Sequence, residues 1–155
     1  MRIEYFQLID RIIEVDCATR TIRTEAHVPS ASTIFEGHFP GYPILPGVLM
    51  IEAMAQTAGW LVIALTQFKR MAFLAAVKDA KLRRFVTPGQ QLSLAAALVH
   101  EGSGYTVADT KGTVDGHPVC SAQITFRVTD FPTPECLNQM QDLAKRLAFP
   151  HGARR

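Results

Sequence analysis

Cysteine is scarce in this 155-residue chain and badly placed for structural work. Cys17, Cys120 and Cys136 are odd in number and make no C-x-x-C pair, which argues against both a disulfide scaffold and a zinc ribbon. A dominant charge is lacking too. Sixteen Lys and Arg against fourteen Asp and Glu leave a net +2, too little to imply nucleic-acid binding. The N-terminal MRIEYFQLIDRII has acids in its first turns and no apolar stretch ending in a small-residue cleavage site. No secretory signal is expected from it, and a reducing cytoplasm is the expected setting. There is no internal repeat or low-complexity linker, and 48% hydrophobic with 19% charged residues is the balance of one globular domain.

What the chain has in abundance is apolar sequence concentrated in one run. Val48 to Leu65 carries only Glu52, Gln56, Thr57 and the Trp60 indole as polar groups. About 20 apolar residues suffice to span a bilayer, but an acid in mid-run and Pro46-Gly47 at its start favour a helix buried inside a fold. Around it the pattern is strand-like. Ile22, Thr24, Ala26 and Val28 alternate with polar neighbours, as do Leu92, Leu94, Ala96 and Leu98. Gly102-Ser103-Gly104 and Asp115-Gly116 are hairpin turns, and the run after the second places Cys120, Ala122, Ile124, Phe126 and Val128 on one side. Phe73 to Val77 reads as a short apolar strand. The order predicts an α+β fold in which an antiparallel sheet of five to six strands curls round one long helix. Such a sheet covers one side of the helix only, so a dimer is expected. After residues 1–130, a separate element over 131–155 begins with Thr133 as cap and Pro134 in the first turn; Leu137, Met140, Leu143, Ala144 and Leu147 then recur at helical spacing, and the final HGARR reads as a frayed basic end.

The chemistry-bearing segment is GHFPGYPILPG, residues 37–47. Pro40, Pro43 and Pro46 stiffen it, and Gly41 and Gly47 prepare its bends. It presents His38 and runs straight into the start of the apolar helix, where unpaired amides and the helix dipole welcome an oxyanion. Glu52 and Gln56, four residues apart, share one face of that helix. A carboxyl in apolar surroundings has the raised pKa that suits a general acid. Singly, a loop histidine or a Glu and Gln pair is more often structural. Together they suit proton removal beside a carbonyl, coupled to protonation of a leaving group.

The stretch GHFPGYPILPGVLMIEAMAQTAG resembles the signature of the FabZ-type 3-hydroxyacyl-acyl carrier protein dehydratases, hotdog-fold hydro-lyases of bacterial fatty acid synthesis. Weaker similarity extends to YFQLIDRIIEVD, FLAAVKDAKLRRFVTPGQQL and TVDGHPVCSAQITF. The resemblance implies a single hotdog fold with an added C-terminal helix, and dehydration of (3R)-3-hydroxyacyl carrier thioesters to trans-2-enoyl thioesters without metal or organic cofactor. His38 would be the catalytic base and Glu52 the acid, supplied across a homodimer interface and oriented by Gln56. Gly47 would bind the thioester carbonyl, with Phe39 and Val48 beside the substrate. Assembly beyond the dimer, to a hexamer, stays open, as do two other functions: an acyl thioesterase built on the same helix start and carboxylate, and a non-catalytic acyl- or carrier-binding subunit.

The partner implied is an acidic acyl carrier protein. Residues 1–66 hold four bases and seven acids, whereas residues 67–155 hold twelve bases and seven acids. Lys69, Arg70, Lys78, Lys81, Arg83 and Arg84 cluster against Asp79; as sequence alone the cluster reads more readily as a solvated basic surface, and with the resemblance Lys81, Arg83 and Arg84 become the candidates for carrier docking by charge steering. The chain departs from the FabZ pattern at Ala31-Ser32-Thr33, at Ala76-Val77-Lys78 and in its helical tail. Those departures resemble a branch that makes very long acyl chains for lipid A. Tyr42, Phe73, Leu74, Ala75, Ala76 and Ala95 to Ala97 suit either a tunnel lining or ordinary core packing.

Overall fold

A computed structural model describes residues 1–150; the expected basic end, HGARR, lies outside the described residues. Six strands form one antiparallel sheet: β1 (Arg11–Asp16), β2 (Thr21–His27), β3 (Met71–Leu82), β4 (Gln91–Gly102), β5 (Tyr105–Val114) and β6 (His117–Thr129), in the order β1-β2-β4-β5-β6-β3. The helices are α1 (Thr33–Gly37), α2 (Gly47–Leu65) and α3 (Pro134–Arg146), with a 3-10 turn at Ile3–Tyr5. This is the expected α+β arrangement, a sheet wrapped round one long helix.

Side-chain alternation turns one face of the sheet toward α2. Ile22, Ala26, Leu92, Leu94, Ala108 and Ile124 are all buried there. Against them α2 buries Met54, Leu61 and Val62 among others. Each such side chain stabilises the fold by about 1.5 to 3 kcal/mol. Two buried threonines of this layer satisfy each other: Thr24 and Thr57 share a hydroxyl hydrogen bond of 2.8 Å, and Thr57 also donates to the Ala53 carbonyl at 2.9 Å, whereas the buried Thr106 hydroxyl has no partner among the described residues. Gly112 is required by packing, because a Cβ there would come within 2.6 Å of Cys120 Sγ.

The side of α2 turned away from the sheet differs from the all-buried helix the composition suggests. Ile51, Glu52, Gln56 and Gly59 are half-buried, and Val48 at the helix start is 70% exposed. By length and composition α2 is apolar enough to cross a membrane, but 61% of its most apolar stretch is buried inside the fold.

Two further differences position the site. The short strand expected at Phe73 to Val77 is a twelve-residue edge strand, β3, with one side paired to β6 and the other unpaired. Residues 73–82 are exposed, Phe73, Leu74, Val77 and Leu82 included. The segment before His38, expected as loop, contains α1, capped by Ser32, whose hydroxyl accepts from the Ile34 amide at 3.3 Å. Helix α3 begins as expected: the Thr133 side chain accepts from the Cys136 amide at 3.2 Å. Its far end is pinned where Phe149 meets Trp60 and Phe68, with ring centroids 6.0 and 5.4 Å away, and where the Ile12 amide donates to the Leu147 carbonyl at 2.8 Å.

Candidate active site

The loop that carries His38 is built from short-range hydrogen bonds. The His38 amide closes α1 on the Ile34 carbonyl at 2.9 Å, and the chain then reverses through Phe39 and Tyr42, whose amides and carbonyls pair at 3.0 and 2.9 Å. Gly41 takes a φ of +75°, which suits glycine at the reversal. The His38–Phe39 peptide bond is cis. The Ile44 amide returns to the His38 carbonyl at 3.0 Å, and the imidazole Nδ1 lies 3.1 Å from the Ile44 carbonyl oxygen. A carbonyl can only accept, so Nδ1 carries the hydrogen and Nε2 is left as the basic nitrogen. The Phe39 ring stacks on the imidazole with centroids 4.3 Å apart and limits its rotation.

The same loop delivers the start of α2. Among the described residues, the amides of Gly47 and Val48 make no hydrogen bond, since Pro46 is the cap and its carbonyl accepts only from Leu49 and Met50. The approach at Gly47 is close: a Cβ would lie 2.2 Å from Leu82 Cδ1, the tip of an exposed side chain that would have to shift. His38, Phe39, Gly47, Leu82, Arg83 and Arg84 are among the residues lining one cavity of about 490 Å³. Val48 does not line it. A basic nitrogen and the free amide of Gly47 beside one space can accept a proton and hold an oxyanion.

Glu52 lies elsewhere. It is half-buried and lines a second cavity, of about 460 Å³, that His38 does not share. Gln56 donates to its carboxylate, Nε2 to Oε1 at 3.1 Å. Gln56 is itself clamped: Nε2 also donates to the Phe6 carbonyl at 2.8 Å, and Oε1 accepts from the Leu8 amide at 2.9 Å. Sequence reasoning placed Gln56 beside Glu52 but missed this grip, because the groups that hold Gln56 are backbone atoms and carry no residue signature.

The FabA-like domain model matches residues 2–123. The 3-hydroxyacyl-[acyl-carrier-protein] dehydratase FabZ of Latilactobacillus sakei is 42% identical over 120 residues, 77% of this chain and 85% of its own length. The proteins of that name from Clostridium acetobutylicum and Listeria monocytogenes are 39% and 37% identical over 78% and 82% of this chain, and 86% and 88% of their own lengths. This chain belongs to the FabZ family. Among solved structures, a hypothetical thioesterase from Streptococcus pneumoniae with coenzyme A superposes with a TM-score of 0.62 at 18% identity, over 79% of this chain and 88% of its own. AziG of S. sahachiroi superposes with a TM-score of 0.65 at 15% identity, over 84% and 98%. At those identities the two structures share the fold.

The basic residues of this FabZ family member divide once they are placed. Arg83 and Arg84 line the His38 cavity, with Arg83 donating to the Ser121 hydroxyl at 2.9 Å. Lys81 is exposed on the edge strand β3. Arg70 is paired with Asp130 at 2.7 Å, so Asp79 is not the only acid set against the cluster. Of the residues weighed as a tunnel lining, Leu74 lines the Glu52 cavity, whereas Ala95 to Ala97 border a separate groove of about 350 Å³ across β2, β4 and β5.

Proposed function

We propose that this chain dehydrates (3R)-3-hydroxyacyl-[acyl-carrier-protein] to the trans-2-enoyl thioester in fatty acid synthesis, with His38 as base and Glu52 as acid. The observation that carries the reading is the shared cavity of His38 and the free amide end of α2, in a member of a family whose relatives are named for this reaction. His38 Nε2 takes the proton alpha to the thioester carbonyl, and the Gly47 amide stabilises the enolate-like oxygen. Glu52 protonates the departing 3-hydroxyl, which leaves as water. The amide is worth about 3 kcal/mol in the transition state, and acid–base assistance about 10²- to 10⁴-fold in rate.

His38 and Glu52 of one chain face different cavities, so a complete site calls for Glu52 of a second copy. The unpaired edge of β3, with Phe73, Leu74 and Val77 exposed along it, supports a homodimer, since such an edge pairs readily with another strand. Arg83 and Arg84 at the cavity, with Lys81 nearby in sequence, suit the acidic carrier. The very-long-chain reading gains nothing from the named relatives, and the proposal stops at the 3-hydroxyacyl class.

The test is conversion of a 3-hydroxyacyl carrier thioester, followed by enoyl absorbance and by free-thiol release. The wild type should form enoyl product, and His38→Ala should lose it while remaining folded. Thiol release without enoyl product would make the protein a thioesterase. Carrier binding without turnover would make it a non-catalytic subunit.

A further inference from the structure

Each half of the divided site is flanked by aromatic side chains that a single chain leaves uncovered. Beside Glu52 and Gln56, Tyr5 and Phe6 line the same cavity and are 73% and 59% exposed. On the other half Phe39, stacked on His38, is 52% exposed, and the edge-on pair Tyr42 and Phe85 is exposed as well. Large rings gathered at two places and open to solvent mark surfaces that another protein covers.

Phe6 is held where phenylalanine has little reason to be. It ends the 3-10 turn Ile3–Tyr5 with a φ of 55°, the left-handed conformation that glycine and asparagine take more readily. Its own chain covers less than half of the residue, so packing there repays little of the cost. The turn is nevertheless firmly built. The backbones of Arg2 and Gln7 bond each other at 2.7 and 3.1 Å, the Phe6 amide donates to the Ile3 carbonyl at 2.9 Å, and the Arg2 guanidinium lies 4.1 Å from the centroid of the Tyr5 ring. It is also tied to the acid: Gln56 Nε2 donates both to the Phe6 carbonyl and to the Glu52 carboxylate, so one amide group joins the turn to the carboxyl.

We propose that Tyr5 and Phe6 of one copy close over His38 of a second copy, where with Phe39 of that copy they form the apolar wall of the site that Glu52 completes. Where Glu52 meets the imidazole of the second copy, Phe6 arrives with it, because Gln56 holds both. The wall shuts bulk water away from the imidazole, the carboxyl and the reacting carbons between them. The inference rests on the composite site proposed above.

The experiment uses hybrids of His38→Ala and Glu52→Gln chains, whose single intact site takes Glu52 from the first chain and His38 from the second. Phe6→Asn suits the left-handed turn and keeps the Phe6 carbonyl. It is placed on one chain at a time, and turnover of a 3-hydroxyacyl carrier thioester is read by enoyl absorbance and by free-thiol release. On the His38→Ala chain, which supplies Glu52, it should lower hybrid activity about tenfold or more; on the Glu52→Gln chain it should change it by less than about twofold. Phe6→Leu on the chain that supplies Glu52 should keep most of the activity, because it restores apolar bulk. Equal losses from both placements, no loss from either, or a loss only on the chain that supplies His38 overturns the proposal. If Phe6→Asn does not fold, Tyr5→Ala is read in the same way. Hybrids that recover no activity, while the wild type forms enoyl product, refute the composite site and this inference with it. The same asymmetry seen in thiol release alone would keep the shared wall and refute the dehydratase reading.

Discussion

Gln56 Nε2 lies 3.1 Å from Glu52 Oε1 while its other bonds reach the backbone of Phe6 and Leu8. The carboxylate is therefore aimed by a side chain that the N-terminal segment holds from both ends of its amide. Gln56→Ala should lower kcat by about 10- to 100-fold with little change in KM, because it removes orientation and leaves binding groups in place. It should also cost about 1 to 3 kcal/mol of stability, since the Leu8 amide and Phe6 carbonyl lose their partner. Steady-state kinetics beside urea unfolding separate the two effects. A variant that loses stability and keeps its kcat would show that Gln56 only staples the N-terminal segment.

The separation of His38 and Glu52 within one chain makes a prediction about mixed subunits. His38→Ala and Glu52→Gln should each be inactive alone. Mixing them under conditions of subunit exchange should restore about a quarter of wild-type activity, because half of the dimers are hybrids and each hybrid has one intact site. Activity that stays at the level of the separate variants would place both groups in one subunit's site.

Much of this arrangement was legible because it depends on residue type at fixed spacing. Ile22, Thr24, Ala26 and Val28 are all buried as their alternation requires. Asp115 and Gly116 take φ values of 50° and 76°, the left-handed pair that a two-residue hairpin needs. Thr133 and Pro134 start α3 for the reasons that make them good first-turn residues. The length of β3 was hidden because Asp79 adopts a φ of 52° where the pairing with β6 slips between Lys78 and Lys81, which breaks the alternation that marks a strand. The separation of His38 from Glu52 was expected only through the family resemblance: the two are close in sequence, and from the residues alone nothing marks them as facing apart, which the course of the loop and of α2 shows.

Cys120 makes the fold sensitive to alkali. It is 1% exposed, and burial pushes its thiol up to about 11, against smaller opposing effects of the Gly112 backbone and Arg83. In the unfolded chain the thiol ionises near its ordinary value of about 8.5. Between those values the unfolded state has released a proton that the native state retains, so stability present below about pH 8.5 is lost as pH rises toward 11, to a total of about 3 kcal/mol. Urea unfolding from neutral to alkaline pH should show wild type losing more stability across that window than Cys120→Ala. Parallel curves would refute the assignment.

Gly47 offers a way to separate packing from chemistry. The atom that a new methyl would meet is Leu82 Cδ1, the tip of a side chain 49% exposed, which can swing aside. Alanine is also the better helix former, by about 1 kcal/mol. Gly47→Ala should therefore leave thermal stability unchanged or slightly higher. The displaced Leu82 also lines the His38 cavity, so kcat/KM should fall about tenfold as the approach to the free amides narrows. Leu82→Ala should restore most of that loss in the double variant, because it removes the group the methyl displaces, and a double-mutant cycle would measure the coupling. If the double variant is as impaired as Gly47→Ala alone, the methyl acts on the helix start itself, and Leu82 plays no part in shaping the site.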